Sequence, residues 1–88
     1  MTEPIIYKVD EDIYNSGRLT SSLQFYKGRT NGLQFFDARC NWTANKDTER
    51  YYHIIAEDEY QAESLAKQAY AKEFHISQDF VEVRSSYL

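Results

Sequence analysis

Tyr51-Tyr52-His53-Ile54-Ile55-Ala56 runs into Glu57-Asp58-Glu59 and then into Tyr60-Gln61-Ala62-Glu63-Ser64-Leu65-Ala66-Lys67-Gln68-Ala69-Tyr70-Ala71-Lys72-Glu73-Phe74. The six residues before the acids are aromatic, β-branched or small, as a strand requires. After them Ala62, Leu65, Ala66, Ala69, Tyr70 and Phe74 recur as one stripe of period 3.6, which predicts an amphipathic helix from about Tyr60 to Phe74. Asp58 occupies the N-cap position and Gln61 stands three residues on, the spacing of a capping box, with Glu57 and Glu59 at the positive end of the helix dipole. Ile76-Ser77-Gln78-Asp79 then turns the chain into Phe80-Val81-Glu82-Val83-Arg84, whose alternation is that of a strand. Strand, helix, strand is the unit around which the rest is arranged.

Outward from it, Ile5, Tyr7 and Val9 alternate with Ile6, Lys8 and Asp10 after Pro4, which is tolerated where a strand begins. Residues 11 to 19 read as a loop in which Ile13 and Tyr14 tether the chain to the core. Thr20 to Lys27 places Leu23 and Phe25 on one face and Ser22, Gln24 and Tyr26 on the other, so it reads as a strand, joined through Gly28-Arg29-Thr30-Asn31-Gly32 to another over Leu33 to Trp42. Leu33, Phe35 and Phe36 make that next strand apolar on both faces at its start, the mark of a central position or of a bulge. Turn residues 43 to 48 return the chain antiparallel near Arg50. If the last strand lay beside the one before the helix, the two would run parallel with a right-handed crossover. The expected fold class is α+β: one domain over residues 1–88, with one amphipathic helix on one face of a mostly antiparallel sheet of four to five strands, in the order β-β-β-β-α-β.

With 88 residues the core is small, and the 8 Tyr, 5 Phe and 1 Trp must supply much of it. No run approaches the roughly 18 apolar residues of a membrane span, and Met1-Thr2-Glu3-Pro4 lacks the basic and apolar regions of a secretory signal. The single cysteine, Cys40, cannot form an intramolecular disulfide. These features give the expectation of a cytoplasmic protein without membrane contact. The net charge of −4 is unevenly spread: residues 1 to 50 balance seven acids with seven bases, whereas residues 51 to 88 hold seven acids against three bases. Such a surface repels phosphate backbones and favours a basic partner.

Catalytic chemistry is poorly represented. Two histidines and one cysteine cannot complete a metal site without scattered carboxylates, and Gly28 and Gly32 lack the Lys and Ser or Thr of a phosphate loop. No cofactor is expected. Cys40 with His53 as base on a neighbouring strand is the one nucleophile arrangement to weigh, against a buried structural thiol. The helix leaves the other sheet face uncovered in this reading. If that face carries Tyr26, Tyr51, His53 and Phe80, it is available to a protein partner or, as the alternative, to stacked single-stranded bases beside Arg29, Arg39 and Arg50. The low isoelectric point disfavours direct nucleic-acid binding. Tyr26 and Tyr51 on the sheet, with Glu63, Glu73 and Glu82 on the helix and last strand, are the candidate partner-binding residues. An exposed sheet edge also allows pairing into a homodimer.

The run Ile54-Ile55-Ala56-Glu57-Asp58-Glu59-Tyr60-Gln61-Ala62-Glu63-Ser64-Leu65-Ala66, followed by Val81-Glu82-Val83, resembles the strand, acidic cap, Ala-rich helix and strand unit of small phage-encoded proteins. Among these are anti-CRISPR inhibitors that pack one helix on an antiparallel sheet. The resemblance covers roughly the last 35 residues. It implies a single-domain, non-enzymatic inhibitor that occupies a host nucleic-acid-handling protein by steric occlusion or acidic mimicry, and it carries over no functional residue.

Overall fold

The computed structural model describes residues 3–88, with only the backbone described at 45 and 46. Four strands, β1 (Ile5–Val9), β2 (Gln34–Trp42), β3 (Asn45–Ala56) and β4 (Val81–Tyr87), form one sheet in the order β1-β3-β2-β4 with every neighbouring pair antiparallel. Two short helices, α1 (Glu11–Ser16) and α2 (Ser21–Gln24), precede β2, and the long helix α3 (Glu59–Phe74) joins β3 to β4. The protein is α+β, one long helix packed on an antiparallel sheet.

α3 starts where its cap chemistry requires. The Asp58 carboxylate accepts from the Gln61 amide N–H at 2.8 Å, and the Gln61 side-chain oxygen accepts from the Glu57 N–H at 2.7 Å. The helix ends at His75 in the left-handed region, φ 55°. Ala62, Ala66 and Tyr70 are fully buried against Phe36, Ala38, Cys40, Tyr52, Ile54 and Val81, with Leu65, Ala69 and Phe74 half-buried around them. Small alanines let the helix backbone lie close on the sheet, and Tyr70 fills the space left toward the far end. Its hydroxyl, sealed in the core, donates to the Thr48 carbonyl at 2.7 Å, as a buried polar group must.

Three expectations are revised. Residues 20 to 27 do not form a strand: the Thr20 hydroxyl accepts from the Leu23 N–H at 3.3 Å and opens a single helical turn, so Leu23 is buried while Phe25, on the same face in a strand reading, is 62% exposed. A local side-chain cap offered this backbone an alternative to a ladder. Residues 11 to 16 are helical rather than looped, stopped by Gly17 at φ 67°, although Tyr14 does tether the chain, its ring 4.8 Å from that of Tyr51. Finally, β3 begins at Asn45, inside residues 43 to 48 that read as a turn, and the condition for a parallel crossover is not met, since β4 pairs with β2 while β1 and β2 occupy both edges of β3. β2 is therefore central, which accounts for its apolar start, and its irregularity falls between Cys40 and Trp42.

The sheet is covered on both faces. Tyr52, Ile54 and Ala56 point to α3, whereas Tyr51, His53 and Ile55 point the other way and are equally buried. The chain from Asp10 to Leu33 closes that second side: the Tyr14 ring lies tilted against that of Tyr51, Tyr26 is a neighbour of Tyr7, and Leu23 is fully enclosed. The open aromatic face expected from the sequence is thus filled by the protein's own first half.

Candidate protein-binding surface

β3 and its neighbours set which of the expected site residues reach solvent. Tyr51 does not: it is 9% exposed, under Tyr14, and its hydroxyl donates to the Glu49 carboxylate at 2.5 Å. That hydrogen bond, then burial, push the phenol up to about 12. Tyr26 is half-buried in its contact with Tyr7. Neither belongs to an accessible aromatic row, and Phe36 is fully buried on the α3 side. Base stacking on this sheet would require residues 10 to 33 to lift away.

The acids separate into two groups. Glu73 is held within the structure, accepting from Arg50 Nε at 2.8 Å and from Lys8 Nζ at 3.5 Å, while the Arg50 guanidinium lies over the Phe74 ring at 4.8 Å. Partial burial raises the Glu73 carboxyl, but the hydrogen bond and charge of Arg50, together with Lys8, outweigh it and hold the group below the ordinary carboxylate value. This carboxylate ties the end of α3 to β1 and β3. Glu63 and Glu82 instead approach the outer edge of β4 from its two faces. Glu63 accepts from the Ser85 hydroxyl at 3.0 Å, Glu82 accepts from the Asn41 amide at 3.3 Å, and both line a shallow groove of about 430 Å³ along the outer edge of β4, with Lys67 and Arg84.

Exposed aromatic side chains stand at the start of α3 and at the two ends of β4. Tyr60, in the first turn of α3, is 86% exposed beside the exposed acids Glu57, Asp58 and Glu59; Phe80 (52%) precedes β4 and Tyr87 (58%) ends it. Tyr60 also shares a concavity with Glu63, Ser64, Lys67 and Gln78. Sequence periodicity assigned Tyr60 only to the start of the helix; its exposure follows from its place outside the stripe Ala62-Leu65-Ala66. No protein-family model, curated protein or solved structure matches the chain.

The groups weighed for catalysis lie apart. Cys40 faces α3, whereas His53 faces the opposite side of the sheet, so a strand backbone stands between thiol and imidazole. Burial pushes the Cys40 thiol up to about 12. His53 is fully enclosed between Tyr7 of β1 and Asp37 of β2, and neither ring nitrogen has a hydrogen-bond partner. Asp37 itself accepts from the Ser86 hydroxyl. Among the described residues no three His, Cys, Asp or Glu side chains converge on a metal position, and no helix is long and apolar enough to cross a membrane.

Proposed function

We propose that this chain is a non-enzymatic protein-binding module of the cytoplasm, an inhibitor in the manner of small phage-encoded anti-CRISPR proteins, which docks on a basic surface of a host nucleic-acid-handling complex and blocks it by occlusion or acidic mimicry. The observation that supports this reading is Tyr60, 86% exposed and more so than the exposed Phe25, Phe80 and Tyr87, standing beside Glu57, Asp58 and Glu59 at the head of α3. A rigid aromatic ring flanked by carboxylates suits the anchor of a protein interface, with the charge steering a basic partner toward it.

The test is affinity capture from the native host, followed by mass spectrometry. The expected result is a discrete nucleic-acid-handling protein retained stoichiometrically, with retention lost on Tyr60→Ala and on combined Glu57→Lys and Glu59→Lys, and weakened by salt. These positions lie outside the buried stripe of α3, and circular dichroism of each variant separates lost binding from a weakened helix start. A capture indistinguishable from an empty tag would overturn the proposal.

A further inference from the structure

β4 is an edge strand of seven residues with a neighbour on one side only. Such an edge is normally guarded by charge, because a second copy brings the same sign to the same height. β1, at the opposite edge, is two residues shorter and follows Pro4. The charges of β4 have a different character. Glu82 and Arg84 are two residues apart, cross-strand from Asn41 and Arg39, and therefore share the sheet face away from α3. Opposite charges at this spacing complement their own copy in antiparallel pairing instead of repelling it.

We infer that β4 is a self-complementary docking edge through which two copies of this chain form a twofold dimer, pairing antiparallel about Val83. In that register Glu82 of each copy lies opposite Arg84 of the other, so the pair is made twice, and Val83 meets its equivalent on the helix side. The adjacent face-preserving registers, centred on Glu82 or on Arg84, place like charges directly opposite, which is destabilising. One register is selected, and the result is a continuous sheet of eight strands with both α3 helices on the same face.

Glu63, hydrogen-bonded to Ser85 at 3.0 Å, and Lys67 line the groove along the outer side of β4, so charged groups of α3 also border the paired edge. The exposed rings of Phe80 and Tyr87 flank the paired segment at its two ends.

Sedimentation velocity on the full chain at about 10 to 200 µM, a range that reads micromolar association, tests this directly. The wild type is expected to sediment at twice its 10.4 kDa mass. Glu82→Arg and Arg84→Glu each juxtapose like charges and are expected to weaken association at least ~10-fold. An equimolar mixture of the two single variants is expected to recover a dimer, and so is the double variant carrying both. Because recovery requires folded chains, it separates lost pairing from lost structure. A wild type that stays monomeric throughout, single variants that associate as well as wild type, or a mixture that fails to recover would each overturn the inference.

Discussion

Replacing His53 with leucine is expected to stabilise the protein and to remove a specific part of its acid sensitivity. His53 is fully buried, and both ring nitrogens are without hydrogen bonds. A buried polar group left unpaired costs about 1–3 kcal/mol in lost hydration, and leucine, of similar volume, carries no such group. A net gain of about 1–2 kcal/mol at pH 7.5 follows, because fitting a branched side chain where a planar ring stood offsets part of the benefit. For a domain of this size each 1 kcal/mol moves the melting temperature by about 4–8 °C. The pH dependence has a definite sign. Burial, partly opposed by the charge of Asp37, lowers the His53 imidazole from its ordinary 6.5. The unfolded chain therefore takes up a proton near pH 6.5 while the native chain does not until the pH is lower. Wild-type stability accordingly falls as the pH drops below 6.5, with a slope of at most about 1.4 kcal/mol per pH unit from this group. Paired urea titrations of wild type and His53→Leu at pH 7.5 and 5.5 measure both effects. The gap between the two proteins widens toward pH 5.5. A leucine variant less stable than wild type at pH 7.5, or a gap independent of pH, would refute the argument.

Two further outcomes test the packing against α3. Tyr70→Phe keeps the ring beside Phe74 but removes the hydroxyl that donates to the Thr48 carbonyl; a loss of about 1 kcal/mol in chemical denaturation is expected, and an unchanged midpoint would show that the hydrogen bond contributes nothing. Cys40 is fully buried and its thiol is pushed up to about 12. Its reaction with a disulfide reagent at pH 8 is therefore expected to be ~10³-fold slower in the folded protein than in denaturant, as its thiolate fraction dictates, and a native rate within tenfold of the unfolded one would contradict its placement.

The parts legible in the sequence are those in which a local pattern spans several repeats. α3 carries four turns of one apolar stripe and a cap made by residues three apart, and both appear as expected, with the boundary moved by one residue to Glu59. β1, β2 and β4 likewise follow their alternation, as does β3 from Arg50 onward, although it already begins at Asn45 within residues that read as a turn. The failures fall where a segment is shorter than the period it must display. In Thr20 to Lys27 the pair Leu23 and Phe25 fits strand alternation as well as any other assignment, and a cap from Thr20 decided the matter. Glu73 looked like another surface acid because Lys8 and Arg50, the cations that hold it, are 65 and 23 residues away in the chain.

From its residues alone, this protein was determined to be α+β, with a capped amphipathic helix between two strands, a core rich in aromatic side chains, and an acidic second half. Periodicity, cap spacing and charge count are local properties, and they survive whatever the rest of the chain does. Tertiary structure alone decided that residues 10 to 33 fold over the second sheet face, that His53 is sealed beneath them, that Cys40 lies on the opposite side, and that β4 takes the outer edge of β2. Each of these depends on where distant segments return, and alternation specifies that a strand has two faces without specifying what will cover them. The same distant return brought Glu63, Lys67, Glu82 and Arg84 to one groove along the outer edge of β4.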